Sequence, residues 1–316
     1  MSTATPVADA TERTRELVTS SEPRRKAVDR LMTGVIWVCF LLAMAPLVSL
    51  LWTVVSSGAG RMSIDFLSLS MRGIFGGNPD GGIYHAIVGT LIITGWAILI
   101  SVPIGLMTAI YLVEYGRGPL ARAVTFFVDV MTGIPSIVAG LFVVALFTLI
   151  FGPAARFGFM GAVALSVLMI PVVVRSCEEM LKLVPNELRE ASYALGVPKW
   201  LTIVRIVLRT SVAGLTTGVL LAVARVIGET APLLVAVGVS DSINFNAFDG
   251  RMMTLPVFAY RQYYAGYATC QPDDIDCIVD IGFQNAWGAA LTLIVIVMLL
   301  NIAGRLVNRW FAPKLR

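Results

Sequence analysis

Apolar residues gather in six long runs, at roughly 31–55, 83–112, 123–151, 157–174, 206–238 and 285–304. A helix needs about 20 predominantly apolar residues to cross the hydrocarbon core of a bilayer, and the runs are close to or above that length. The pattern predicts an all-α, polytopic membrane protein with six transmembrane helices. Pro46, Pro103, Pro135, Pro171 and Pro232 fall inside the first five runs. Membrane helices tolerate proline where neighbouring helices satisfy the freed backbone groups. Between the fourth and fifth runs lies a polar insert, PNELREASYALG, at 185–196. Pro185 suits the first turn of a helix, Asn186 to Leu195 are good helix formers, and Gly196 can take the left-handed cap. Pro198 can then open a second helix running through Trp200 into the fifth span. The expected product is a protruding helical hairpin, with Leu188, Ala191 and Leu195 on one face and Glu187 and Glu190 near Arg189 on the other. An ordinary polar loop is the plainer alternative.

Composition strengthens the membrane assignment and adds an orientation. The chain is 57% hydrophobic and 14% charged, with a mean hydropathy of +0.81, outside the range of soluble domains. Of its 24 Lys and Arg residues, 18 fall in the N-terminal tail, the loop holding Arg117 and Arg122, the insert with its flanks, and the C-terminus. Arg61, Arg72, Arg156, Arg251 and Arg261 fall on the opposite side. Because positive side chains near short loops stay inside, both termini and the insert are expected in the cytoplasm. The net charge of +4 is then a topology signal and does not point to nucleic acid. Residues 1–30 read as a disordered cytoplasmic tail and not as a cleavable signal peptide. Residues 31–82 hold the first span and an external loop, 83–305 the main transmembrane domain, and 306–316 a cytoplasmic C-terminal tail. Within the main domain the cytoplasmic loop is 177–205, and the external loop, 239–284, is rich in aspartate.

Few residues in the spans carry chemistry. Arg225 and Glu229 stand four apart in the fifth run, so a helix would place them on one face, and each is costly against lipid. They are expected to face the protein interior. Two readings stay open: a structural ion pair, or a solute path in which Arg225 attracts an anion. In the second, Glu229 orients Arg225 or accepts a hydrogen bond from a protonated oxyanion. Asp129 either pairs with a basic residue inside the bundle or lies at the cytoplasmic interface near Arg122. His85 reads as an interfacial residue at the external end of the second span. Gly214, Gly218 and Ala222, four apart, suit close helix packing. Cys270 and Cys277 flank QPDDID in the external loop and are a candidate disulfide in an oxidising space, with two free thiols as the alternative. Cys39 and Cys177 read as buried apolar residues. There is no GxxxxGK[ST] loop, so ATP hydrolysis is not assigned to this chain, and no HExxH or GxSxG motif suggests an enzyme.

The run Glu190-Ala191-Ser192, with Gly196 four residues later and Ile206 and Leu208 beyond, resembles the EAA loop of ABC-importer permeases. Ser192 stands where alanine is usual, and Arg209 where proline often follows leucine. Further blocks are Gly133 to Gly140 (GIPSIVAG), Ile170-Pro171 with Arg175, Val184-Pro185, Ala194-Leu195-Gly196, and Ala224 to Leu234 (ARVIGETAPLL). Over roughly 83–305 these are similar to the A-type (PstA) permeases of phosphate importers. The resemblance implies the type I ABC importer permease fold, with the insert as the coupling helix. It implies that Glu190, Ala191, Ser192 and Gly196 couple to an ATPase, and that Arg225, Glu229 and Thr230 line a substrate pathway. It also implies no cofactor bound by this chain, since ATP would be used by partner subunits. The implied partners are a second permease of PstC type, two ATP-binding subunits of PstB type, an external phosphate-binding protein of PstS type, and the lipid of a bacterial cytoplasmic membrane. Import of inorganic phosphate is the implied function; another oxyanion, or a secondary anion transporter or channel, is the alternative.

Overall fold

Backbone constraints at proline and glycine decide where the apolar runs remain single helices. The computed structural model describes residues 23–270 and 277–311. Of the tail expected to be disordered over 1–30, residues 1–22 lie outside these, as do the QPDDID turn and the last residues of the C-terminal tail, whereas Pro23–Arg30 are helical and open the first helix. Among the described residues the regular elements are all helical. They are α1 (Pro23–Ala59), α2 (Ile64–Ser68), α3 (Tyr84–Ile110), α4 (Gly118–Thr132), α5 (Ser136–Phe151) and α6 (Gly158–Lys182). There follow α7 (Asn186–Ala194), α8 (Lys199–Thr202), α9 (Leu208–Val226), α10 (Ala231–Ala236), α11 (Leu255–Ala265) and α12 (Ile281–Phe311). Two π-helical turns, Tyr111–Tyr115 and Ile203–Val207, continue α3 and join α8 to α9.

Five of the resulting helices are long and apolar enough to cross a membrane, and a sixth crossing is counted if one bent pair is a single span. That pair is the expected third span: α4 and α5 meet at 107°. The bend follows from Gly133-Ile134-Pro135. Pro135 has no amide to donate, and its ring drives Ile134 out of the helical region, so α4 stops with Gly133 as its C-cap. The expected fifth span is also interrupted. α9 ends at Val226, and a new short helix opens at Ala231 with Pro232 in its first turn, where a missing amide costs nothing. Consequently, Arg225 and Glu229 do not share a helix face.

Two units are distinguished, residues 1–53 and 54–316. The described part of the first is the body of α1, whose Leu31, Ile36, Trp37, Leu42 and Trp52 are all exposed. A helix satisfies its own backbone and needs no aqueous face, so such a surface suits a lipid environment. In the second unit α3 and α6 form the centre. Ala97, Ala109, Ala164, Leu165, Met169 and Val173 are fully buried along them. Gly105 lies directly on Val173, and Gly161 on Val237, Leu233 and Ile93. α9 packs on α6 by the same device: Gly214 meets Met180, Gly218 meets Ser176, and Ala222 is buried. The small residues at spacing four therefore have the packing role expected of them, bringing backbones together where dispersion supplies most of the association energy.

The segment expected to be an external acidic loop is partly internal. Met252 to Phe258 are buried without a break, and α11 begins within that run. Leu255 N donates to Thr90 Oγ1 at 2.8 Å, and Met253 O lies where a Cβ on Gly89 would need to be. The aspartates on either side concealed the apolar MMTLPVF stretch. His85 is buried rather than interfacial, its ring edge-on to Phe258 at 5.5 Å. Arg61 pins the chain that follows α1. Its Nε donates to Asn285 Oδ1 at 2.8 Å, Nη2 donates to Gly81 O at 3.1 Å and to Pro79 O, and the guanidinium lies over the Phe66 ring. Burial holds its pKa below the ordinary arginine value, partly offset by Asp80.

Candidate functional site

The polar insert folds as a short helix, a turn and a second helix. Pro185 is extended (φ −58°, ψ 141°) and caps α7, placing it one position before the first turn expected of it. Gly196 adopts φ 74°, the left-handed conformation that lets the chain reverse after Leu195. Pro198 caps α8, and the chain continues through the π turn at Ile203–Val207 into α9. Arg209, where the related pattern often has proline, lies inside α9 without interrupting it. Along α7 Leu188, Glu190, Ala191 and Leu195 are exposed, as are Tyr193 and Trp200. A polar helix with an uncovered apolar edge is a surface built for a partner. Ser192 is instead buried, and its hydroxyl is 2.8 Å from Thr202 Oγ1. That bond ties α7 to α8 and explains how a serine fits where alanine is usual: its extra polar atom is satisfied.

Arg189 does not pair with Glu187 or Glu190. Its guanidinium reaches Glu114, in the π turn at the end of α3, with Nε and Nη2 donating to Oε1 at 3.1 and 2.9 Å. The side chains are only 12% and 5% exposed, so this ion pair is sheltered from water. The remaining donors reach Leu181 O (3.1 Å), Val184 O (2.6 Å) and Asn186 Oδ1 (3.2 Å). Lys199 adds a bond to Glu114 O and lies 4.5 Å above the Tyr115 ring. Glu114 was not among the residues singled out from sequence, although it is the one acid between the second span and Arg122. An isolated carboxylate in a basic loop is the signal that could have found it.

Beside this anchor runs a second set of charges. Arg175 bonds Asp129 through Nη2 and Glu178 through Nη1 at 2.9 Å, and Lys182 reaches the other oxygen of Glu178 at 2.7 Å. Asp129 thus has a basic partner on another helix, but it is Arg175 and not Arg122, and the carboxylate is exposed. Asp129, Glu178 and Arg122, with Leu112, Thr125 and Phe126, line an open cavity of about 400 Å³.

At the second break, Glu229 N donates to Val226 O at 3.1 Å and Leu234 N donates to Thr230 O at 2.9 Å, leaving the segment between α9 and α10 outside both helices. Arg225 is exposed and Glu229 and Thr230 half-buried. Among the described residues no ion pair joins Arg225 to Glu229. Of the two readings left open for these residues, the structural ion pair therefore has no geometric basis. The two sequence blocks that looked specific do meet. Gly140, in the first turns of α5, packs against Pro232 of α10, where a Cβ would lie 2.7 Å from Pro232 Cα. Both breaks thus belong to one assembly of interrupted helices. Thr132 spends its hydroxyl on Val128 O at 2.9 Å, as threonines in membrane helices commonly do.

Cys270 and Cys277 are disulfide-bonded, with Cα atoms 5.7 Å apart. The bridge rests on Gly77, where a Cβ would lie 2.2 Å from Cys277 Sγ. Cys177 is buried and Cys39, on α1, is exposed.

Apolar spans, two of them broken within their expected length, and a polar hairpin mounted firmly on their ends describe a multi-pass membrane transport component. Residues 101–316 match the family described as binding-protein-dependent transport system inner membrane component, and the chain belongs to that family. The chain is 47% identical over 294 residues to the phosphate transport system permease protein PstA 1 of Mycobacterium tuberculosis (strain ATCC 25618 / H37Rv), covering 93% of this chain and 91% of that protein. It is 48% identical to PstA of Mycobacterium leprae (strain TN), covering 89% and 88%, and 38% identical to PstA of Yersinia pestis, covering 85% and 84%. Among solved structures it is similar to the MetNI methionine ABC transporter in an inward-facing conformation. There the TM-score is 0.56 at 20% identity, over 80% of this chain and all of the other. At that identity the likeness speaks for the fold, which is the ABC importer permease fold.

Proposed function

We propose that this chain is the permease subunit of an ATP-driven importer that carries inorganic phosphate across the bacterial cytoplasmic membrane. The observation that carries the transport reading is the mounted hairpin. An exposed helix, α7, is fixed to the ends of α3 and α6 and runs through α8 into the interrupted span holding Arg225, Glu229 and Thr230. Phosphate enters from the names of the relatives, which match nearly the whole length of the chain. Two PstB-type ATPases would seat Glu190, Ala191 and Gly196 of this hairpin and the corresponding loop of a PstC-type permease. A PstS-type protein would deliver phosphate from outside. The excess of Lys and Arg on the α7 side supports cytoplasmic termini and a cytoplasmic hairpin.

Exposure of Arg225 in the single chain supports both the second permease and the anion path. An unpaired guanidinium at that depth is too costly to leave against lipid, so it faces a partner chain or a water-filled route. Arg225 then attracts the anion at the break in the span, with Glu229 and Thr230 at its side to accept or donate hydrogen bonds. Two measurements test the reading. ATP hydrolysis by the purified complex should rise with phosphate-loaded binding protein and not with sulfate or molybdate. Arg225→Gln should abolish phosphate uptake while the complex still assembles; normal uptake by this variant removes Arg225 from the pathway.

A further inference from the structure

Arg189 immediately precedes the Glu190-Ala191-Ser192 run, yet it is almost the only side chain of α7 that turns inward with a charge. Its bonds divide into two groups. The one to Asn186 stays within α7, whereas those to Glu114, Leu181 and Val184 leave it. Leu181 belongs to the C-terminal end of α6, whose last carbonyls have no helical partner and whose dipole favours a cation, and Val184 to the link that follows the Leu183 cap. Glu114 belongs to the end of α3. One planar guanidinium therefore joins the hairpin to the two central helices of the bundle at once, a geometry a lysine could not reproduce.

Folding of the hairpin does not account for these bonds. The α7–α8 turn has its own determinants, the Ser192–Thr202 bond and the left-handed Gly196. Without Arg189, α7 would connect to the bundle through Leu183 to Pro185 on one side and through α8 on the other. Lys199 would then be the remaining side-chain tether to the end of α3. A push on α7 would be absorbed in those links.

We infer that Arg189 is the positioning residue that makes α7 move as one body with the ends of α3 and α6, so that displacement of the hairpin by an ATPase reorients the bundle. This rests on the proposed role of α7 as the ATPase seat. Glu114 is its counterpart: the carboxylate fixes two of the three guanidinium nitrogens and leaves the third for Val184.

The test uses the complete transporter, with both permeases, the ATPases and the binding protein, reconstituted in liposomes, and reads phosphate accumulated per ATP hydrolysed. Arg189→Gln should retain ATPase binding and hydrolysis while the ratio falls on the order of 10-fold, within the usual range of coupling between distant sites. Glu114→Gln, which leaves the hairpin sequence intact, should lower the ratio similarly. Combining Glu114→Arg with Arg189→Glu should recover part of what either reversal alone removes. If Arg189→Gln fails to assemble, Glu114→Gln decides. An unchanged ratio in Glu114→Gln, with wild-type hydrolysis, overturns the inference and leaves the function intact. Failure of the unaltered chain to retain an ATPase on purification instead removes the reading of α7, and the inference with it.

Discussion

Gly140 is the position where the interrupted helices can be tested most sharply. Replacement by alanine would place a Cβ 2.7 Å from Pro232 Cα and 3.0 Å from Pro232 O. Both atoms are backbone and cannot swing aside as a side chain could. Restoring ordinary contact requires α5 and α10 to part by about 0.7 Å, which forfeits roughly a quarter to a half of the dispersion energy of the atoms lining the gap. Overpacking of this kind costs about 1–3 kcal/mol, offset by about 1 kcal/mol because alanine is the better residue inside a helix. The net expectation is a loss of roughly 0–2 kcal/mol. Gly133→Ala provides the control within the same block. Gly133 has φ −87°, which alanine accepts, and its Cβ would meet only Val130 O at 3.5 Å. There the reduced freedom of the unfolded chain should stabilise by about 0.4–1 kcal/mol. Thermal unfolding of the purified complex in one detergent should therefore rank Gly133→Ala above wild type and Gly140→Ala below it. Phosphate uptake should fall in Gly140→Ala alone. A Gly140→Ala protein as stable as Gly133→Ala, with unaltered uptake, would refute the contact between α5 and α10 on which the reasoning stands.

Two further outcomes are expected. Thr202→Val removes the partner of the buried Ser192 hydroxyl and should cost about 1–3 kcal/mol, whereas Ser192→Ala removes a single satisfied bond and should cost about 1 kcal/mol; reversed ranking in thermal melts would count against the bond. Cys270→Ser should lower stability in an oxidising buffer by about 2–3 kcal/mol, the loop-closure value for so short a loop. Reductant should bring wild type down to the variant without further effect on the variant itself.

Much of this architecture could be read from residues in sequence order, and the parts that could not share a cause. Apolar length located the spans, and the proline and glycine spacing at 185–198 laid out the hairpin almost residue by residue, because caps and left-handed turns are local. The interruptions at Gly133-Ile134-Pro135 and at Ile227 to Thr230 lie within apolar runs, so hydropathy passed over them. The placement of Arg225 and Glu229 on one face assumed a helix that stops at Val226. The partner of Arg189 was out of reach of the sequence for a related reason. Glu187 and Glu190 are its neighbours along the chain, but Glu114 is supplied by another helix, and one sequence carries no record of that distance. The burial of Met252 to Phe258 was hidden by the aspartates flanking it.

The two π turns suggest why the hairpin is mounted where it is. Each inserts one extra residue per turn into an otherwise α-helical path, and such insertions commonly sit at functional positions. One, Tyr111–Tyr115, carries Glu114 to Arg189; the other, Ile203–Val207, lies between the hairpin and α9. Both stand at the α7 end of their helices, between the hairpin and the spans. On the proposed role of α7, force entering through it would meet the charged anchors at Arg189 and Lys199 and then the packed stripe of Gly214 and Gly218 against α6. That stripe leaves no slack: Gly218 lies on Ser176, on the same helix whose carbonyls Arg189 holds. If the proposed function holds, rotation of α9 would carry α6 with it, and the break after Val226, with Arg225 at its edge, would be the place where that displacement changes the proposed anion path.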